Sequence, residues 1–176
     1  MLQGTRESGL TLIELLITVI ILGIVAAYGV PNMTGFFEKQ RVSGAAHTFL
    51  SDVQFARAES IKQNQEVYIY VDEGAWCYGL DDDTSTACSC SATPANCTIN
   101  GNVHVVSGTD FPNVAASESI STAGNVITFD PVRGTLNPAA TVNFSSGLYG
   151  VDVRWGLIGR ARLCATSGPS WGYDSC

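Results

Sequence analysis

Residues 10–30 read LTLIELLITVIILGIVAAYGV, an apolar run with a single charged side chain, Glu14. At a rise of about 1.5 Å per residue, a helix of this length spans roughly 31 Å, the thickness of a bilayer core. A short polar segment, MLQGTRESG, precedes it at residues 1–9. A secretory signal peptide would instead end its apolar part with a small-residue cleavage site and a polar mature start. The run therefore predicts a membrane-spanning helix rather than a conventional signal peptide.

The junction between the polar and apolar segments reads SGLTLIEL at residues 8–15. It resembles the class III signal of type IV prepilins and type II secretion pseudopilins. The resemblance implies that a prepilin peptidase cleaves after Gly9. It also implies that the new N-terminus, Leu10, is N-methylated, although most family members have Phe at this position.

Glu14 matches the glutamate of this signal, which is thought to meet the N-terminal amine of a neighbouring subunit in a filament. That role agrees with the physics, because a carboxylate in an apolar bundle needs a partner of opposite charge. The alternative is that Glu14 only snorkels at the start of the helix, where the helix dipole favours a negative charge.

We predict that the helix continues past Pro31 as an amphipathic half over residues 31–64. Pro31 removes one backbone hydrogen bond, so we expect a kink there. Beyond it, apolar residues recur at spacings of three and four, which indicates the buried face of a helix. These residues are Val42, Ala45, Ala46, Phe49, Leu50, Val53, Ala56 and Ile61. The charged residues assigned to the other faces are Lys39, Arg41, Asp52, Arg57, Glu59 and Lys62.

Residues 65–176 change to short strand patterns separated by Gly, Pro, Asn and Ser clusters. The segment EVYIYV at 66–71 is rich in β-branched and aromatic residues, which favour strands. Further candidate strands are 75–80, 102–107, 126–129, 140–144, 151–155 and 160–165. No second helical pattern of useful length follows. The predicted fold class is therefore α+β, with one long N-terminal helix packed on an antiparallel β-sheet domain.

Three interior motifs resemble one branch of the same superfamily, the minor pilins and pseudopilins called FimT, FimU and GspH. The motifs are FARAES at 55–60, FDPVRG at 129–134 and GRAR at 159–162. With the N-terminal signal, the resemblance covers essentially the whole chain and is closest to FimT. It implies a type IV pilin-like fold.

All six cysteines lie in the β-rich region, which suits an oxidising compartment. They are Cys77, Cys88, Cys90, Cys97, Cys164 and Cys176. We expect Cys164 and Cys176 to close a C-terminal loop, a closure worth about 3 kcal/mol in chain-entropy models. The other four are expected to staple the polar loop 79–96, in a pairing that the sequence leaves open. Their spacing is not that of paired zinc knuckles, so we predict no metal site.

Catalytic signatures are missing from the sequence. It has two histidines, His47 and His104, and lacks a nucleophile elbow, a phosphate-binding glycine loop and an HExxH motif. The acidic run at 81–83 lacks the alternating ligands of a calcium loop and is more typical of a solvated loop. We therefore expect no enzyme and no cofactor.

Basic residues are scarce and unevenly distributed. Charged residues make up 14% of the chain, and nine Lys and Arg against sixteen Asp and Glu give a net charge of −7. Such a chain repels nucleic acid unless its cations are concentrated in one patch. Four basic residues fall in the last 44 positions, and all of them are arginines: Arg133, Arg154, Arg160 and Arg162.

Arg160 and Arg162 are the strongest functional signal. Two apart in a strand, they would point to the same face about 7 Å apart, near the spacing of phosphates along one nucleic-acid strand. Arg154 would join them if residues 156–159 form a turn between two strands. Arginine suits phosphate because its planar fork makes bidentate contacts.

The GRAR motif also resembles the Gly-Arg-x-Arg motif through which some FimT-like minor pilins bind DNA. The resemblance carries that role to Arg160 and Arg162, whereas charge and spacing alone add Arg154 and Arg133. Trp155 and Trp171 lie nearby and could stack on bases, although such residues are more often packing residues.

Two structural interpretations of the motif stay open. A Gly-Arg pair also serves as a turn and strand start in secretion pseudopilins, and Arg160 could form an ion pair with Asp152 or Asp174.

Three functions are compatible with these observations. The preferred one is a minor pilin that joins a type IV pilus and binds extracellular double-stranded DNA, without sequence specificity, for natural transformation. The others are a structural minor pilin that primes assembly and a type II secretion pseudopilin without DNA binding. The expected partners are DNA, other pilin subunits, prepilin peptidase and the inner membrane before assembly. We expect the globular domain in the periplasm and later at the cell surface in the pilus.

Overall fold

The computed structural model describes residues 11–83, 88–120, 125–168 and 172–176, without the side chains of 28–32 and 34. The chain divides into two compact units, Met1–Phe37 and Glu38–Cys176. The predicted leader with its cleavage site, Gly9 and Leu10, lies outside the described residues, as does Trp171.

Helix α1 spans Leu12–Gln63 and therefore continues through residue 31. Thr11 caps its start, since its Oγ1 accepts a hydrogen bond from the backbone N–H of Glu14 at 3.3 Å. At its end Asn64 adopts a positive φ of 54°. The N–H of Gln65 donates to the carbonyl of Ser60 at 3.2 Å, and that of Asn64 to the carbonyl of Ile61 at 3.4 Å. This is the Schellman arrangement, which satisfies the last carbonyls of a helix.

In the first unit, the large apolar side chains of α1 from Leu12 to Val25 are exposed, between 47% at Leu16 and 84% at Leu12. Within the described part of the chain, no helix combines the length and the apolarity that a membrane crossing requires.

The second unit holds eleven short strands among its described residues. Their bounds are β1 Val67–Asp72, β2 Cys77–Asp81, β3 Thr98–Ile99, β4 Asn102–Val103, β5 Val105–Ser107, β6 Ala115–Ser119, β7 Val126–Phe129, β8 Leu136–Asn137, β9 Ala140–Ser146, β10 Tyr149–Trp155 and β11 Ala161–Ser167. A 3₁₀ turn, Gly108–Asp110, follows β5.

These strands form three antiparallel sheets. The first has the order β5-β2-β1-β7-β8, the second β11-β10-β9-β6, and the third pairs β3 with β4. Each of the seven predicted strand segments contains strand, but the segment 102–107 is divided at His104 into β4 and β5. Sequence patterns missed β3, β6 and β8. Two of these have only two residues, and β6 reads AASES, which contains no β-branched or aromatic side chain.

The buried face of α1 packs on both large sheets. Phe49 is fully buried, and its ring contacts Tyr78 of β2 at 4.9 Å between centroids, Phe144 of β9 at 5.7 Å and Trp155 of β10 at 6.0 Å. All buried core residues in the described part of the chain lie within Glu38–Cys176, so this unit has its own hydrophobic core.

The predicted apolar stripe is mostly right, with one exception at its end. Val42, Ala45, Ala46, Phe49, Val53 and Ala56 are buried. Leu50 is partly buried against the core, whereas Ile61 is 51% exposed because it lies in the last turn of α1.

The sequence pattern places Asp52 and Glu59 on the polar faces of the helix, but both are buried, and each is hydrogen-bonded to residues from outside the helix. The hydroxyl of Tyr78 donates to Asp52 at 2.7 Å, and His104 Nε2 lies 3.1 Å from the same carboxylate. Asn100, Lys62 and Gln63 all donate to Glu59 Oε1. These hydrogen bonds, led by that from Asn100, lower the pKa of Glu59 to about 2.

Glu118 on β6 is an unusual carboxylate. Both of its oxygens are buried without a hydrogen-bond partner among the described residues. It lines a small apolar cleft with Trp76, Val142 and Phe144. Burial, reinforced by the negative charge of Glu73, raises the pKa of Glu118 to about 7, and the nearby Asn125 offsets only part of this rise.

This carboxyl predicts how stability depends on pH. Its folded pKa lies above its unfolded value, so the stability it contributes is complete below about pH 4.5 and falls as pH rises toward about 7. We expect Glu118→Gln to raise the melting temperature at pH 8 and to leave it nearly unchanged at pH 4. Thermal unfolding at both pH values measures this, with Glu66→Gln, an exposed carboxylate, as the control. A Glu118→Gln melting temperature equal to that of the wild type at pH 8 would contradict the assignment.

Candidate nucleic-acid interface

The hairpin of β10 and β11 carries most of the predicted arginines. The two strands pair antiparallel with Arg154 opposite Arg162, and residues 156–160 connect them. The N–H of Gly159 donates to the carbonyl of Gly156 at 2.9 Å, which closes the turn. Residues 156–159 therefore form a turn between two strands, as the grouping of Arg154 with Arg160 and Arg162 requires. The strand begins at Ala161, so Arg160 belongs to the turn rather than to the strand that was predicted.

Arg154, Arg160 and Arg162 line one depression on the surface, together with Trp155, Gly156 and Ile158. We call this depression the arginine groove. Arg160 and Arg162 are exposed and Arg154 is half-buried. Three guanidinium groups beside one open depression favour an anionic ligand.

The three arginines differ in how their charge is balanced. Arg154 donates from Nε at 3.0 Å and from Nη2 at 2.8 Å to one oxygen of the buried Asp152, which holds the guanidinium in place. Arg160 and Arg162 form no ion pair with an acidic residue in the described part of the chain. The predicted alternative pairing of Arg160 with Asp152 is wrong, because Arg154 occupies that carboxylate.

Arg133 does not line the arginine groove. It lies in the turn after β7, where its Nη1 is 3.7 Å from the carboxylate of Asp130. The same carboxylate accepts backbone hydrogen bonds from Val132 and Arg133, and these lower the pKa of Asp130. The structure therefore assigns Arg133 to a local turn, which sequence spacing alone could not distinguish from the groove.

Trp155 is a core residue. Only 4% of it is exposed, and its Nε1 donates to the carbonyl of Pro138 at 2.9 Å. The idea that it stacks on bases is wrong, because the indole is already covered by Phe49 and its polar atom is satisfied.

The three interior motifs meet at Gly159. This glycine has a φ of +78°, and a Cβ added to it would lie 2.6 Å from the carbonyl oxygen of Gly134 and 3.2 Å from Cζ of Arg57. Arg57 Nη1 donates to the carbonyl of Gly159 at 3.3 Å, and the N–H of Leu136 donates to the carbonyl of Leu157 at 3.2 Å. A side chain at position 159 would therefore separate the turns that follow β7 and β10.

Three disulfides join the six cysteines, namely Cys77–Cys90, Cys88–Cys97 and Cys164–Cys176. The last one holds the C-terminal segment beside β11, where Ala165 N–H donates to the carbonyl of Asp174 at 2.8 Å. Two acid-and-cysteine groups come close enough to suggest metal ligands, Asp72 with Cys77 and Cys90, and Asp152 with Cys164 and Cys176. In each group both cysteines share a disulfide, so neither offers the thiolate that a metal site needs.

Two family models match the chain. One is described as Type II transport protein GspH and matches residues 45–159, and the other is the prokaryotic N-terminal methylation motif, at residues 4–29. The first match covers more than half of the chain. The chain belongs to the GspH family. A search of curated proteins finds no match.

Solved structures of minor pilins have the same fold as this GspH-family chain. The type IV minor pilin FimU of Pseudomonas aeruginosa aligns with a TM-score of 0.54 at 19% identity, over 73% of this chain and 91% of that one. The minor pseudopilin EpsH from the type II secretion system of Vibrio cholerae aligns with a TM-score of 0.52 at 11% identity, over 71% and 97%. At such identities the likeness shows the fold alone, and it confirms the predicted α+β pilin-like fold.

Family membership confirms the predicted resemblance to type IV minor pilins and pseudopilins. It supports association with other pilin subunits and processing of the N-terminal leader. The family match ends at Gly159, so Arg160 and Arg162 lie just beyond it. Of the three arginines of the groove, the match covers Arg154 and leaves out Arg160 and Arg162.

The packing of Gly159 predicts a large effect of adding one methyl group. Gly159→Ala should destabilise the folded domain by roughly 1–3 kcal/mol from its backbone conformation alone, and the contact with Gly134 adds to this. Gly156→Ala, in the same turn with no atom within 4 Å of an added Cβ, is the matched control. Urea denaturation compares the two, and equal midpoints would show that this packing is not needed.

Proposed function

We propose that this GspH-family chain is a minor type IV pilin, closest to FimT, that binds extracellular double-stranded DNA without sequence specificity for uptake in natural transformation. The observation that carries the proposal is the arginine groove, where three arginines of an otherwise acidic chain lie together and two of them lack an acidic partner among the described residues. Guanidinium groups facing solvent suit phosphate oxygens, and a few such contacts give weak, salt-sensitive binding.

We also propose how the chain reaches its place of action. The leader, residues 1–9, is cleaved after Gly9 and Leu10 is methylated, in keeping with the methylation motif at residues 4–29. Residues 10–30 hold the chain in the inner membrane as a single span, with the domain in the periplasm, and later enter the core of a pilus. The exposed apolar side chains of α1 support such a buried environment. The chain acts by assembly and binding, without catalysis, cofactor or metal.

Two other functions compete with this proposal. A structural minor pilin that primes assembly, or a GspH-like pseudopilin of type II secretion, would use the same helix and fold and would not bind DNA. The Vibrio cholerae structure is that of such a pseudopilin. Because all three functions need the same architecture, a DNA-binding measurement is what separates the proposed function from the other two.

A titration with short duplex DNA tests the groove. A fragment of residues 34–176 contains every core residue that the structure describes. It should bind in the micromolar range or more weakly, with an affinity that falls as salt rises. Arg160→Gln/Arg162→Gln should weaken binding at least about tenfold at low salt and reduce the slope of log Kd against log salt by about 2. Fluorescence anisotropy at several salt concentrations measures both quantities.

The matched control is Lys39→Gln/Arg41→Gln, which removes the same charge from the same domain. Lys39 lies over the ring of Tyr149 and Arg41 donates to the carbonyl of Pro112, so neither lines the groove. If the wild-type fragment does not bind, or if both double variants bind alike, the DNA-binding proposal fails and a structural pilin or pseudopilin remains.

Glu14 provides a separate test of assembly. In the full chain, Glu14→Ala should nearly abolish incorporation into filaments, because the carboxylate can no longer meet the amine of a neighbouring subunit. The fold of Glu38–Cys176 should be unaffected, since Glu14 lies in the other unit. Immunoblots of sheared filaments measure incorporation, with the exposed Glu66→Ala as control. Unchanged incorporation of Glu14→Ala would exclude this role.

A further inference from the structure

Helix α1 contributes a fourth arginine next to the groove. Arg57 and Arg160 line a second depression together with Val53, Gln54, Gly159 and Ala161. Arg160 is therefore common to both depressions, with Arg154 and Arg162 on one side and Arg57 on the other. In the sequence Arg57 belongs to the FARAES motif and to a polar face of the helix, about 100 positions before Arg160 and Arg162.

The guanidinium of Arg57 is only partly satisfied. Nη1 donates to the carbonyl of Gly159, and Nε is buried with no hydrogen-bond partner in the described segments. Nη2 makes no hydrogen bond among the described residues, and the Arg57 side chain is half-buried where it lines the second depression. Glu59, two positions along the helix, is engaged by Lys62, Gln63 and Asn100. The charge of Arg57 has no acidic partner in the described part of the chain.

We propose that Arg57 is a further phosphate-binding residue, so that the anion-binding surface continues from the β10–β11 hairpin across Arg160 onto α1. This inference rests on the proposed function and extends it. Phosphates follow one another about 7 Å apart along a DNA strand. A ligand with regularly repeated phosphates therefore matches a surface on which arginines occupy two adjoining depressions better than a single anion does.

The competing explanation is that Arg57 only positions the turn by holding the carbonyl of Gly159. Both roles predict weaker binding when Arg57 is changed, so affinity alone does not separate them. The salt dependence does, because each phosphate contact contributes about 0.9 to the slope of log Kd against log salt, whereas a positioning residue contributes none directly.

The experiment measures duplex DNA binding by the fragment of residues 34–176 across a salt series. Arg57→Gln should weaken binding several-fold at low salt and reduce the slope by about 0.9. Arg57→Lys should restore most of the slope, because it keeps the charge while losing the planar fork. Arg41→Gln is the control, the same change on the same helix about 24 Å away along its axis, and should leave the slope unchanged.

A second pair of variants leaves Arg57 and its contact with Gly159 in place. Gln54 is exposed and lines the depression that Arg57 shares with Arg160. Gln54→Glu should repel a phosphate there and weaken binding several-fold, whereas Gln40→Glu, at another exposed position of α1, should change it little. This pair keeps the test decisive if Arg57→Gln does not fold.

The outcomes distinguish a failure of the role of Arg57 from a failure of DNA binding by the whole domain. If the wild type binds DNA but Arg57→Gln keeps the wild-type slope, Arg57 is a positioning residue and this inference alone is overturned. Gln54→Glu binding as tightly as Gln40→Glu would overturn it in the same way. If the wild type does not bind DNA, the proposed function fails and this inference fails with it.

Discussion

The ring of Phe49 touches one aromatic residue of the five-stranded sheet, Tyr78, and two of the four-stranded sheet, Phe144 and Trp155. Truncating a large aromatic side chain buried in this way to alanine typically lowers the free energy of unfolding by about 3–5 kcal/mol. The Phe49 side chain therefore joins α1 to both large sheets. A shift of the helix relative to either sheet would break part of this aromatic packing. Arg57 follows Phe49 by about two turns of α1, so the same packing brings it against the Gly159 turn.

The three interior motifs contribute both to packing and to the surface of this structure. Gly134 and Gly159 allow two turns to approach each other, and Arg57 bonds one of them. These contacts hold the two turns against each other and against α1. Arg160 and Arg162 lie beyond that contact and face solvent. The Gly-Arg-x-Arg motif thus combines a structural glycine with arginines that the packing does not use.

Several acidic side chains of the domain are buried, whereas Arg160 and Arg162 are exposed. Asp52, Glu59 and Asp152 are buried, and each accepts hydrogen bonds from specific partners. These carboxylates are therefore fixed by hydrogen bonds inside the domain. Among these three, only Asp152 forms an ion pair with an arginine of the groove. Arg160 and Arg162 keep their charge at the surface, which is how an acidic chain can present a local positive patch.

Much of the architecture was predictable from sequence, because it depends on local periodicity. Each predicted element has its own hydrophobic periodicity. This holds for the apolar run after Gly9, for the stripe from Val42 to Ala56 and for the alternating segments of the β-region. Two-residue strands and β6 could not be predicted, since they exist only through pairing with a neighbour. The burial of Asp52 and Glu59 was also missed, because their partners come from distant positions such as Tyr78 and Asn100.

The candidate site was also predictable only in part. Its sequence alone determined that the cations of the β-domain are few, that all are arginines, and that two of them stand two apart beside a glycine. Only the tertiary structure decided which of them share a surface: it brought Arg154 beside Arg162, separated Arg133 from the groove and added Arg57 from the helix. The reason is physical, because the charge of a residue is a local property of the chain, whereas the distance between charges depends on how its elements pack.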